Sequence, residues 1–124
     1  MNAPRLIDYL GHIVQAIDRI ERYTASLDEA GFRAHDMAHD AVIRNLEVIG
    51  EACRNIERER PDFAAARPEL PLGQAYAMRN ALSHGYFKVD LRVVWQTLRN
   101  DLPALRLQVQ GLMDDINGKT ESLN

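Results

Sequence analysis

The chain has 124 residues, a formal net charge of −3, 46% hydrophobic and 27% charged residues. Such a length and balance fit one globular domain and exclude a disordered chain. Bulk charge does not attract a polyanion, so contact with nucleic acid needs a local basic site. The lone Cys53 excludes an internal disulfide framework and suits a reducing cytoplasm. No apolar run approaches the ~18 residues of a membrane span, and the opening "MNAPRLIDYLGHI" lacks the basic region and cleavage site of a signal peptide. A cytoplasmic protein is expected.

Apolar spacing is helical throughout. After a cap at Asn2, with Pro4 tolerated in the first turn, Leu6, Leu10, Ile13, Ile17 and Ile20 alternate steps of four and three, widened by Ile7 and Val14. This first helix is expected to end near Thr24. Ser26 to Glu29 then read as a capping box opening a short helical turn that stops near Gly31.

The second main helix covers residues 35–60, with Val42, Leu46, Ile49, Cys53 and Ile56 on its seam. Gly50 lies inside it, where glycine is about 0.5–1 kcal/mol worse than alanine. Close approach by another helix is the physical reason to expect it there. Three prolines in "RPDFAAARPELPLG" make a connection. The third main helix carries Ala75, Met78 and Leu82 on one face and stops at Gly85.

Asp90 can cap the fourth helix, whose inward stripe is Leu91, Val94, Leu98, Leu102, Leu105, Val109 and Leu112. Pro103 must kink or restart it, because proline removes a donor and crowds the preceding turn. The whole reads as an all-α, antiparallel up-and-down bundle of four main helices plus a short helical turn. It forms one domain over residues 1–116, with a flexible polar tail at 117–124. Four–three seams also suit packing against a second copy, so a homodimer is expected.

Chemistry concentrates in "RNALSHGY" at 79–86. Asn80 and His84 are one helical turn apart and share a face, so Asn80 can hold an imidazole nitrogen. Arg79 and His84, five apart, are separated by about 140° around a regular helix. Either the chain turns at Gly85 and swings His84 round, or an arginine from a second copy completes the site. A histidine beside an obligate cation suits phosphodiester chemistry on RNA. The imidazole moves the proton at the 2′-hydroxyl or leaving oxygen, and the guanidinium steadies charge on the phosphoryl oxygens. No metal is required, since the nucleophile belongs to the substrate. The same residues can also simply cap carbonyls and cover the core.

The octapeptide matches R-x-x-x-x-H-x-Y, and the chain resembles the HepT toxins of the HEPN ribonuclease superfamily. "RLIDYLGHIVQAIDRIERYT" is similar to that family's opening helix, "DAVIRNLEVIGEA" at 40–52 to its second-helix block, and "LPLGQAYAMRNALSHGYFKVDLRVVWQTLRNDLPAL" to its motif helix and the one after. The resemblance implies a homodimer with the motif at a shared cleft and metal-independent RNA cleavage without a cofactor. It implies the toxin of a type VII toxin–antitoxin pair, with Arg79 and His84 catalytic and Asn80 in the polar position beside them. Tyr86 takes the place of the tyrosine that the partner antitoxin, a minimal nucleotidyltransferase called MNT, modifies with AMP. Leu72 departs from the pattern where a tryptophan is expected. A helical nucleotide-binding or dimerisation module partnering a nucleotidyltransferase stays open as the alternative.

Elsewhere, Arg92, Arg99 and Arg106 recur every seven residues, with Lys88 near the helix start, as a track for RNA phosphates or an ordinary solvated face. His35 and His39 have the i, i+4 spacing of a two-histidine metal site but no evident third ligand. A solvated or interface pair is expected. His12 reads as a polar-face or interface residue, Cys53 as core filling and Trp95 as an anchor.

Overall fold

The computed structural model describes residues 5–84 and 89–122, with side chains as far as Gly118. Its elements are α1 (Leu6–Thr24), α2 (Glu29–Arg33), α3 (Asp36–Glu59), α4 (Pro61–Ala65), α5 (Leu72–His84), α6 (Leu91–Gln96), a π-helical turn (Thr97–Asp101) and α7 (Leu102–Ser122). Among the described residues there is no strand, and no helix is long and apolar enough to cross a membrane. The fold is all-α.

α1 begins at Leu6, later than a cap at Asn2 would place it, and Asn2 itself lies outside the described residues. Asp8 decides the start: its carboxylate accepts the Arg5 backbone N–H at 2.8 Å. That bond holds the Asp8 carboxyl below its usual range. At the far end Thr24 donates its hydroxyl to the Ile20 carbonyl at 2.8 Å.

The cap of α2 is Asp28, not Ser26. Its backbone is extended and its carboxylate accepts the Gly31 N–H at 2.7 Å, so the helical turn runs on to Arg33. This seats Phe32 in the core, its ring 5.3 Å from that of Trp95. Trp95 is the anchor its position suggested.

α3 is the central element. His35 caps it, Nδ1 accepting the Ala38 N–H at 3.1 Å. Val42, Leu46, Ile49, Cys53 and Ile56 are all buried, as the seam requires. They meet Leu10, Ile13, Ile17 and Ile20 of α1, and each such burial contributes about 1.5–3 kcal/mol. α1 and α5 both pack on α3, and α7 packs on α1. The antiparallel sense is visible where Gly11 faces Met113 while Asp18 meets Arg106, and where Glu47 meets Ser83 while Arg54 lies over Tyr76. α4 occupies the proline-rich connection, Pro61 standing at its first position.

The fourth helix is broken into three. Asp90 caps α6 by accepting the Arg92 N–H at 3.0 Å. Before Pro103 the chain widens into the π turn, where the Leu102 N–H reaches the Thr97 carbonyl. Proline has no N–H to bond the carbonyl four residues back and its ring crowds that group, so one wide turn relieves the conflict. Val94, Leu98, Leu102, Leu105 and Val109 stay buried across the break. α7 continues to Ser122, past Asn117 where the polar tail was expected to begin.

Candidate active site

α5 is a short helix that buries only Leu72 and Leu82 fully, and it lies along α3. Gly50 makes the contact. A Cβ placed there would overlap the Cβ of Arg79 and stand 2.8 Å from the Ala75 carbonyl oxygen. The missing side chain lets two helix backbones meet, and it sets Arg79 at the point of closest approach.

Arg79 is held from two sides. Its Nη1 donates to Asn80 Oδ1 at 2.9 Å, and its Nη2 lies 3.8 Å from Glu51 Oε2. About a third of its side chain (32%) remains open. One turn on, Ser83 donates its hydroxyl to Glu47 Oε2 at 2.8 Å. One turn back, the Arg54 guanidinium lies 5.2 Å from the centre of the Tyr76 ring. The α3–α5 seam is therefore a polar ladder in steps of four and three.

The Asn80 side chain is engaged by Arg79, and no side-chain hydrogen bond joins it to the His84 imidazole. His84 is the last residue of α5, exposed, its imidazole without a hydrogen bond or ion pair among the described residues. Because α5 stays a regular helix to its end, Arg79 and His84 are about 7.5 Å apart along the axis and about 140° apart around it. The chain does not swing His84 toward Arg79 within the described residues. Tyr86 and Lys88 lie outside them.

Arg79 also lines a polar groove of about 280 Å³ with His12 of α1 and Arg44, Glu47, Glu51 and Asn55 of α3. The sequence reading gives no role to the α3 members and expects His12 on a polar face or at an interface. A signal existed: Arg44, Glu47 and Glu51 fall at i, i+3 and i+7, one helix face beside Gly50.

The arginines of the fourth helix go to separate partners. Arg106 makes a two-pronged contact with Asp18 of α1, at 2.6 and 3.3 Å, so it is not part of an open track. Arg99 lies over the Trp95 ring at 4.8 Å, and Arg92 is 3.7 Å from Asp90. Arg92 and Arg99 remain exposed. His39 is occupied too: its Nε2 is 2.6 Å from the Phe32 carbonyl oxygen and its ring packs edge-on against Phe32. Among the described residues no three potential ligands gather as a metal site. Cys53 is a core residue whose thiol is pushed up to about 12, first by burial and then by the charge of Glu57.

The sequence profile of the ribonuclease HepT-like family matches residues 13–112, a stretch holding Arg79, Asn80 and His84 together with the Gly50 contact. The chain belongs to the ribonuclease HepT-like family. It is 42% identical over 99 residues to a Thermococcus cleftensis protein named "Probable ribonuclease HepT", covering 80% of this chain and 87% of that one. It is 32% identical over 114 residues to a Methanocaldococcus jannaschii protein named "Putative RNase MJ1216", covering 92% of each. A longer protein of the same organism, "Gamma-glutamylcyclotransferase and putative RNase MJ0434", is 35% identical over 109 residues, and the match spans 48% of its length. No solved structure matches the chain.

Proposed function

We propose that this HepT-like chain cleaves RNA without a metal ion, as the cytoplasmic toxin of a type VII toxin–antitoxin pair. The observation that carries the reading is that α5 presents both groups, Arg79 just past its middle and His84 at its end. Arg79 is a partly open guanidinium held by Asn80 and Glu51, and His84 is an open imidazole on the final turn.

In this mechanism the 2′-oxygen of the substrate attacks the adjacent phosphorus, forming a P–O2′ bond while the P–O5′ bond breaks. His84 takes the 2′-hydroxyl proton or delivers one to the departing 5′-oxygen, and Arg79 neutralises the non-bridging oxygens as their charge grows. Asn80 positions Arg79. The products are a 2′,3′-cyclic phosphate and a 5′-hydroxyl. Because one chain holds the two groups on different faces, the working site is assigned to a homodimer in which Arg79 of one copy meets His84 of the other. Lys88, Arg92 and Arg99 are assigned to phosphates farther along the strand.

Tyr86, two residues beyond His84, is assigned as the control point. An AMP group added there by an MNT-type nucleotidyltransferase would bring bulk and negative charge to the place where RNA must enter.

The test is cleavage of RNA by the purified protein, without its partner, in excess EDTA. Cyclic phosphate ends are expected from the wild type, and His84→Ala is expected to be inactive with an unchanged circular dichroism spectrum. Dependence on a divalent metal, or full cleavage by the His84 variant, would refute the assignment. Incubation with the cognate nucleotidyltransferase and ATP is expected to add the mass of AMP to the peptide bearing Tyr86. Modification only at other residues would refute that part.

A further inference from the structure

The groove beside Arg79 carries both donors and acceptors on its wall. Arg44 is exposed, and its guanidinium has no ion pair or hydrogen bond among the described residues. Glu47 uses one carboxylate oxygen for Ser83 and keeps acceptor capacity to spare, while Glu51 is half exposed beside Arg79. Two carboxylates next to two guanidiniums leave the space nearly neutral, which suits a base more than a phosphate. A volume of about 280 Å³ is large enough for a nucleobase with part of its sugar.

We propose that this groove is a nucleobase subsite next to the scissile phosphate, and that it selects guanine. The inference rests on the RNA-cleaving reading and adds its sequence preference. Guanine alone presents two adjacent N–H donors, N1 and N2, beside two acceptors, O6 and N7. A carboxylate takes the donor pair, and Arg44 donates to the acceptor pair in the two-pronged manner common for guanine. Uracil, cytosine and adenine each interrupt that pattern and leave a carboxylate facing an acceptor, or a guanidinium facing a donor. Arg79 lines the same groove, so a base seated there has its own phosphate within the reach of the catalytic guanidinium.

Binding separates this idea from catalysis. Fluorescent 2′-O-methyl pentamers U-U-N-U-U, which cannot be cut, are titrated with the full chain and followed by anisotropy. The guanine pentamer is expected to bind roughly ten-fold tighter than the other three, the discrimination of one good two-pronged contact. Glu47→Gln, which keeps an acceptor for Ser83, and Arg44→Ala should each abolish that preference while changing uridine-pentamer affinity less than about two-fold. Equal binding of all four pentamers, binding of none, or a preference that survives both substitutions would overturn the subsite. Cleavage of ordinary RNA is scored in parallel. Active but base-blind protein sinks the subsite alone, whereas guanine-selective but inactive protein sinks the nuclease reading alone.

Discussion

Gly50 of α3 lies directly against the Cβ of Arg79 in α5, and no side chain fits between them. The helix-weakening glycine and the candidate catalytic arginine thus belong to one contact. Gly50→Ala tests it. Overpacking a helix contact costs about 1–3 kcal/mol, and alanine's better helix propensity offsets about 1. Here the obstacles are the Arg79 Cβ and a backbone carbonyl, neither of which can rotate away, so the loss is expected to win. The midpoint of thermal unfolding should drop by several degrees, and RNA cleavage should fall with it. A variant as stable and as active as the wild type would show that the helices separate freely.

Arg79 and His84 sit on different faces of a straight helix, which makes subunit mixing informative. Arg79→Ala and His84→Ala proteins should each be inactive. Mixed after gentle dissociation, they should regain up to half the activity per heterodimer, because one of its two sites then has an intact guanidinium and an intact imidazole. Silence in verified heterodimers would place both groups in one chain.

Arg106 and Arg92 should part company, although their sevenfold spacing from Arg99 suggests equivalence. Arg106 is tied to Asp18, so Arg106→Ala should lower stability by no more than about 1 kcal/mol, since both groups are partly exposed and screened by solvent. A double-mutant cycle with Asp18→Asn should recover most of that loss as coupling. RNA affinity should hardly change. Arg92→Ala should instead leave stability alone and reduce the salt dependence of RNA binding by about one phosphate contact. Equal effects of the two on the salt slope would restore the track.

Cys53 should resist thiol reagents in the native state near pH 8 and react fully in denaturant. Its thiol is pushed up to about 12 in the fold, above the ordinary value of about 8.5 in the unfolded chain. The contribution to stability is complete below the unfolded value and is lost as pH rises from there toward 12. Urea midpoints at successive pH values, compared with Cys53→Ala, check this: the wild type should lose more stability above about pH 8.5 than the variant does. Parallel curves would contradict it.

Much of the bundle was legible from one dimension. The four–three seam named the buried face of α3 without error, because helical period alone decides which residues share a side. Gly50 declared a close approach by being a poor choice for anything else, and Pro103 declared a break, though the π turn that absorbs it needs the carbonyls of the preceding turn to be seen. Caps were harder. Ser26 and Asp28 offer similar chemistry, and only the structure shows that the Asp28 carboxylate is the one that meets the Gly31 N–H.

What a sequence by itself determines here is therefore facing: the apolar side, the breaks, and the order R-x-x-x-x-H that marks the α5 terminus. Only the tertiary structure decides who stands opposite. Asn80 turns to Arg79 instead of His84, Arg106 goes to Asp18 eighty-eight residues away, and His12 joins the α3 carboxylates around a groove. Periodicity is a property of one helix and survives in any surroundings. A polar side chain's partner depends on how two helices are rotated against each other, and that angle is set by the packing of all the rest.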